Sequence, residues 1–179
     1  MKATGIVRRI DDLGRVVIPK EIRRTLRLRE GTPLEIFTDR EGEIILKKYS
    51  PMAELGSFAK QYAESLAQVS GLGVLITDRD QFIAAAGGTK SLLQKPIGKA
   101  METLIINREN HTATADEKAF IQLDGSDDYI SELIIPIISE GDAIGAVLFL
   151  SKEAGSKMGE IERKLALTAA NFLGRQMES

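Results

Sequence analysis

The residues best equipped for chemistry in this 179-residue chain are four arginines near its amino end, Arg8, Arg15, Arg23 and Arg24. A guanidinium keeps its charge at any physiological pH and presents its donors in a rigid fork, so a cluster of them suits phosphate oxygens. The surrounding charge points the same way. The whole chain has a formal charge of −2, yet residues 1–53 hold 12 Lys/Arg against 8 Asp/Glu, residues 54–179 hold 12 against 18, and residues 1–29 hold 9 against 3. Basic charge gathered at one end is the footprint expected of a surface for a polyanion. Charge alone leaves a second reading open, a basic face that is merely solvated.

Other chemistries are poorly supplied. The absence of Cys removes disulfides, thiolate zinc sites and Cys nucleophiles. The single histidine, His111, leaves no spare imidazole for the usual metal cluster or a Ser-His-Asp arrangement, and within the polar run Asn110-His111-Thr112 it reads as an exposed loop residue. Asp124, Asp127 and Asp128 could suggest a cation site, but a solvated acidic loop accounts for them more simply. No enzymatic activity, metal or cofactor is therefore expected. No apolar run approaches the roughly 18 residues that span a bilayer, and the amino end has no signal-like segment. A cytoplasmic protein without a membrane partner is expected.

The arginines must be held by short elements. Thr4–Ile10 is β-rich, Asp11-Asp12-Leu13-Gly14 reads as a turn, and Arg15–Ile18 as a second strand. Pro19 suits the first turn of a short helix in which Ile22 and Leu26 share a face. After the turn Glu30–Pro33, the runs Leu34–Thr38 and Glu43–Lys47 flank Asp39–Gly42 as a hairpin. Four short strands and one helical turn in about fifty residues bury too little to be comfortable alone, so dimerisation is expected from size. Ser50-Pro51 marks a boundary.

Beyond it, Met52, Leu55, Ala59, Tyr62, Leu66 and Val69 form a heptad-like seam that is also compatible with ordinary packing onto a sheet, and Met158, Ile161, Leu165, Thr168 and Phe172 weakly repeat it. Between these helices lie strand candidates Leu72–Thr77, Phe82–Ala86, Ala119–Leu123, Ile130–Ile138 and Ile144–Leu150, with a helix around Gly98–Asn107. The hairpin-length connections Asp78–Gln81 and Glu140–Ala143 predict antiparallel neighbours. The expected layout is α+β with two domains: 1–51, basic and dimerising, a linker helix over 52–70, and 71–179 with the layout of a sensory domain.

Thr4 through Leu26, with Leu34-Glu35-Ile36-Phe37 and Ile45-Leu46-Lys47-Lys48-Tyr49, resembles the amino-terminal domain of the AbrB transition-state regulators. The remainder resembles a GAF domain, an antiparallel sheet flanked by helices. The first resemblance implies a swapped-hairpin β-barrel in which two chains interleave strands and present one basic surface to double-stranded DNA. On that surface Arg8, Arg15, Arg23 and Arg24 would be principal contacts, and Lys2, Thr4, Arg9, Lys20, Arg27 and Arg29 secondary ones. It also implies a regulator that activates and represses sporulation genes.

The layout supplies no long recognition helix, so phosphate positioning and DNA shape are expected to outweigh a base code. If both domains pair independently, a dimer of dimers follows. The GAF-like half either holds an unidentified small-molecule ligand or serves only for assembly; nothing in its residues decides between these. Two rivals are an antitoxin of the same amino-terminal fold and a GAF-type ligand-binding protein or enzyme without a gene-regulatory role. The patterned region 72–178 argues against the first, because such antitoxins usually end in an unfolded tail, and the lack of Cys counts against a GAF-type enzyme.

Overall fold

Pro19, with its fixed φ and no N–H to satisfy, precedes the helix α1 (Lys20–Thr25) as its cap. The helix ends when Arg27 adopts a left-handed φ of 52°. There the Leu28 N–H donates to the Arg23 carbonyl at 2.7 Å and the Arg27 N–H to the Arg24 carbonyl at 3.3 Å, so the last carbonyls are satisfied as in a Schellman ending. Strands β1 (Leu34–Thr38) and β2 (Ile44–Lys48) pair antiparallel from Leu34 opposite Lys48 to Thr38 opposite Ile44. Asp39 closes their turn, its Oδ1 accepting from the N–H groups of Glu41 (3.0 Å) and Glu43 (2.9 Å).

This computed structural model describes residues 5–50, 52, 56–123, 128–153 and 158–178. The chain divides into two units, Met1–Tyr49 and Ser50–Ser179. In the first, one expectation is corrected. Residues 5–10 and 15–18 do not form regular strands, although the turn between them does form. The physical reason is the lack of a neighbour: a strand is defined by its ladder, and the single chain offers these segments none. Their apolar side chains are left in water, with Val7 84%, Ile10 67% and Val17 69% exposed.

The second unit is a five-stranded antiparallel sheet. Helix α2 (Gly56–Ser70) precedes β3 (Gly73–Thr77) and β4 (Phe82–Ala86). A 3-10 turn at Lys90–Leu92 and helix α3 (Lys99–Asn107) lead to β5 (His111–Thr114), then β6 (Ser131–Ser139), β7 (Asp142–Ser151) and helix α4 (Glu160–Gln176). The strand order is β4-β3-β7-β6-β5.

Both faces of the sheet are covered, so β6 and β7 read as nearly continuous apolar runs rather than alternating ones. One face sends Val74, Ile76, Leu133, Ile135, Val147 and Phe149 against α2 and α4. The other sends Leu75, Ile134 and Leu148 against Leu92 and against Met101 and Ile105 of α3. Where α4 crosses β6, Gly174 is buried, and a Cβ there would run into the carbonyl oxygen of Ile138.

Of the two readings of the α2 seam, packing onto a sheet is the one the described residues adopt. On α2 the buried positions are Ala59, Ala63 and Leu66, spaced for packing onto the chain's own sheet, while Val69 is 74% exposed. On α4 the buried residues are Ala166, Ala169, Ala170, Leu173 and Gly174. The expected seam is thus split: Met52, Ala59 and Leu66 are buried in the core, whereas Val69, Ile161 (71%) and Phe172 (39%) are exposed, and Leu55 lies outside the described residues. Ala119–Leu123 forms no strand; the strand is β5 just before it, and it contains His111.

Candidate nucleic-acid interface

The turn that follows the first extended segment is built by Asp11. Its Oδ1 accepts from the backbone N–H of Leu13 (3.0 Å) and of Arg15 (2.8 Å), an Asx arrangement, and Gly14 supplies the positive φ of 75° that closes it. The Asp11 N–H then donates to the Arg15 carbonyl at 3.0 Å. The same carboxylate holds the Arg15 guanidinium, Nε to Oδ2 at 2.8 Å. The Arg15 backbone N–H and then its side chain keep the Asp11 carboxyl below its ordinary range. Both groups lie in solvent, so this pair orients rather than stabilises. Asp11 was not among the sequence candidates, yet Asp-x-x-Gly ahead of an arginine is the signal that could have found it.

Helix α1 carries Arg23 and Arg24 in its last turn, both exposed. Arg8 is also exposed and uses one Nη1–H on the Val7 carbonyl at 3.3 Å. Of the secondary candidates, Arg9, Lys20, Arg27 and Arg29 are exposed, and Lys2 and Thr4 lie outside the described residues. The Arg27 carbonyl accepts from Lys48 Nζ of β2 at 3.4 Å, which ties the segment after α1 to the hairpin. All four principal arginines therefore reach solvent on a turn, a short helix or an extended segment.

The apolar side chains of this unit are exposed as well. Among its described residues up to Tyr49, Pro19 alone is buried. Ile6, Val7, Ile10, Leu13, Val16, Val17, Leu26, Ile36, Ile44 and Leu46 all stand 40% or more exposed. At roughly 1.5–3 kcal/mol for each such side chain buried, this is a large stabilisation that one copy leaves unrealised.

One of the remaining candidates is relocated by the structure. His111 is no loop residue: it lies on β5 with a side chain 16% exposed, and its Nε2 is 2.8 Å from Glu132 Oε1. Asp128 pairs with Lys152 Nζ at 3.2 Å, as expected of a solvated acidic residue, and Asp124 and Asp127 lie outside the described residues.

Comparison with known proteins places these observations. A family model described as stage V sporulation protein T C-terminal, transcription factor, matches residues 54–178. Another, described as antidote-toxin recognition MazE, bacterial antitoxin, matches residues 7–54. The chain is 55% identical over 180 residues to stage V sporulation protein T of Bacillus subtilis (strain 168), covering 99% of each. It is 65% identical over 51 residues to the transition state regulatory protein AbrB of the same organism, covering 28% of this chain and 52% of that one.

Among solved structures, the GAF domain of an Acinetobacter phosphoenolpyruvate-protein phosphotransferase matches with a TM-score of 0.60 at 14% identity. That match covers 73% of this chain and 84% of the other, and it is a likeness of fold alone. An AbrB-like unit followed by a GAF-like unit, matched along nearly its whole length, means that the chain belongs to the stage V sporulation protein T family of transcription factors.

Proposed function

We propose that this protein regulates sporulation genes, by activation and repression, through a double-stranded DNA surface formed when two copies interleave their first units. Arg8, Arg15, Arg23 and Arg24 of each copy are the principal contacts, with Lys2, Thr4, Arg9, Lys20, Arg27 and Arg29 around them. The observation that carries this reading is a basic unit with Pro19 as its one buried described residue and a row of exposed apolar side chains. Such a unit gains its core by pairing. The GAF-like units assemble these dimers further. Phe58 and Tyr62 of α2 and Phe172 of α4 form a ring cluster with centroids 5.4–6.0 Å apart, and Ile161 and Val69 on the same two helices are exposed.

The test replaces Arg23 and Arg24 together with Ala. Fluorescence anisotropy on several unrelated duplexes should show binding weakened on all of them, with the mass from sedimentation unchanged. Normal DNA binding by the folded double variant overturns the assignment. A thermal-shift screen of small molecules on the full chain tests ligand sensing by the GAF-like unit, since a ligand selective for the folded form raises its melting temperature.

A further inference from the structure

Glu132 is fully buried in β6, and its Oε1 accepts two hydrogen bonds, from His111 Nε2 of β5 at 2.8 Å and from the Ile121 N–H at 2.7 Å. Its Oε2 has no hydrogen-bond partner among the described residues. One carboxylate thus fastens an edge strand and the segment after it onto the sheet. That segment carries Phe120, Ile121 and Leu123, which pack on the apolar cluster between the sheet and α3. We propose that His111 and Glu132 form a proton-dependent clasp that holds residues 115–123 over this face of the sheet and releases them as pH rises.

Buried charge makes the clasp sensitive to protons. With His111 neutral the pair carries a net negative charge out of water, which is costly; with one more proton, on the imidazole or on the carboxyl, it is neutral overall. Opening exposes both groups to water and removes that preference for the proton. The closed form therefore binds the proton more tightly than the open one. Burial does push the Glu132 carboxyl above the usual range, and the Ile121 N–H and His111 only partly pull it back. A group whose value is raised on closing contributes stability at low pH and loses it as pH rises. The window therefore opens above the ordinary carboxylate range, where the raised Glu132 carboxyl gives up its proton.

No other described charge competes for the site. From β7 the residue opposite Glu132 is Leu150, and from β5 it is Ala113. The charged residues beside β5, namely Arg108, Glu109, Asp116, Glu117 and Lys118, are all exposed, and among the described residues His111 is the titratable side chain that hydrogen-bonds Glu132. Tyr129, also in this apolar cluster, lies under Lys152, which pairs with Asp128.

The test is amide hydrogen exchange over residues 115–123 of the full chain from pH 5 to pH 8, corrected for intrinsic exchange. Protection should fall with rising pH, by up to about tenfold per pH unit where the proton is released. In Glu132→Gln, whose amide oxygen can still accept both bonds, this dependence should vanish. Equal pH dependence in the two proteins, or none in the wild type, overturns the clasp. Should Glu132→Gln fail to fold, NMR titration of the wild type decides: a common midpoint for the His111 ring and the Ile121 amide supports the clasp, and separate midpoints overturn it.

Discussion

At the scale of the residue, Asp11 shows how an acidic side chain serves a basic surface. It lowers the local charge by one unit, yet it orders the turn and aims Arg15, so its two functions can be separated by substitution. Asp11→Asn keeps an Oδ1 acceptor for the Leu13 and Arg15 N–H groups, and it should bind DNA about as well as the wild type. Asp11→Ala loses the acceptor and should bind severalfold more weakly; titrating a labelled duplex with each variant checks both. The carboxyl lies below its ordinary range, so the tether to Arg15 is present above that range and is lost only as pH falls through the lowered value. DNA binding near neutral pH should therefore show no pH dependence from this pair.

At the scale of the element, Gly174 sets the distance between α4 and β6. Alanine is favoured over glycine within a helix by about 1 kcal/mol. Here the added methyl would meet the Ile138 carbonyl oxygen, and overpacking of this kind costs about 1–3 kcal/mol. The clash involves backbone on both sides and has no side chain to yield, so it wins. Gly174→Ala should lower the melting temperature in a thermal scan, whereas the same change at an exposed helical position would raise it.

The elements also show where sequence reasoning works. Phe82–Ala86 was legible residue for residue, and β6, β7 and α3 nearly so, because apolar runs bounded by polar connections carry their own signal. The extended segments around Arg8 and Val17 carry the same signal without the ladder, since pairing depends on a partner that a single chain lacks. His111 was misread for the opposite reason. Asn110 and Thr112 on either side of it are polar, and the group it hydrogen-bonds, Glu132, lies 21 residues away. The four arginines were legible as charge, whereas the tether on Arg15 depends on a turn geometry that charge counting cannot see.

At the scale of the whole molecule, the proposal makes the DNA surface a property of paired chains. Four arginines per copy become eight in the dimer, and if all eight neutralise phosphates, log affinity should fall with log salt at a slope of about −7. Anisotropy measured between 50 and about 300 mM salt gives that slope, and a value near zero would sink the electrostatic argument. The outward helix face should govern the next level of assembly. Ile161→Asp adds a charge at a position 71% exposed, so the fold should survive while the assembly splits into dimers, as read by analytical ultracentrifugation.

The thinness of the first unit also has a consequence for dosage. When the core of a DNA-binding half is completed only by a second copy, its folding is bimolecular, and the population able to hold DNA rises with the square of chain concentration until pairing saturates. Tethering through the second units raises the local concentration and moves that threshold down without any new contact to DNA. Promoter response to a gradual change in the amount of this protein should then be steeper than for a regulator folded as a monomer, and damage to the exposed helix face of the second unit should dull the response while leaving every arginine in place.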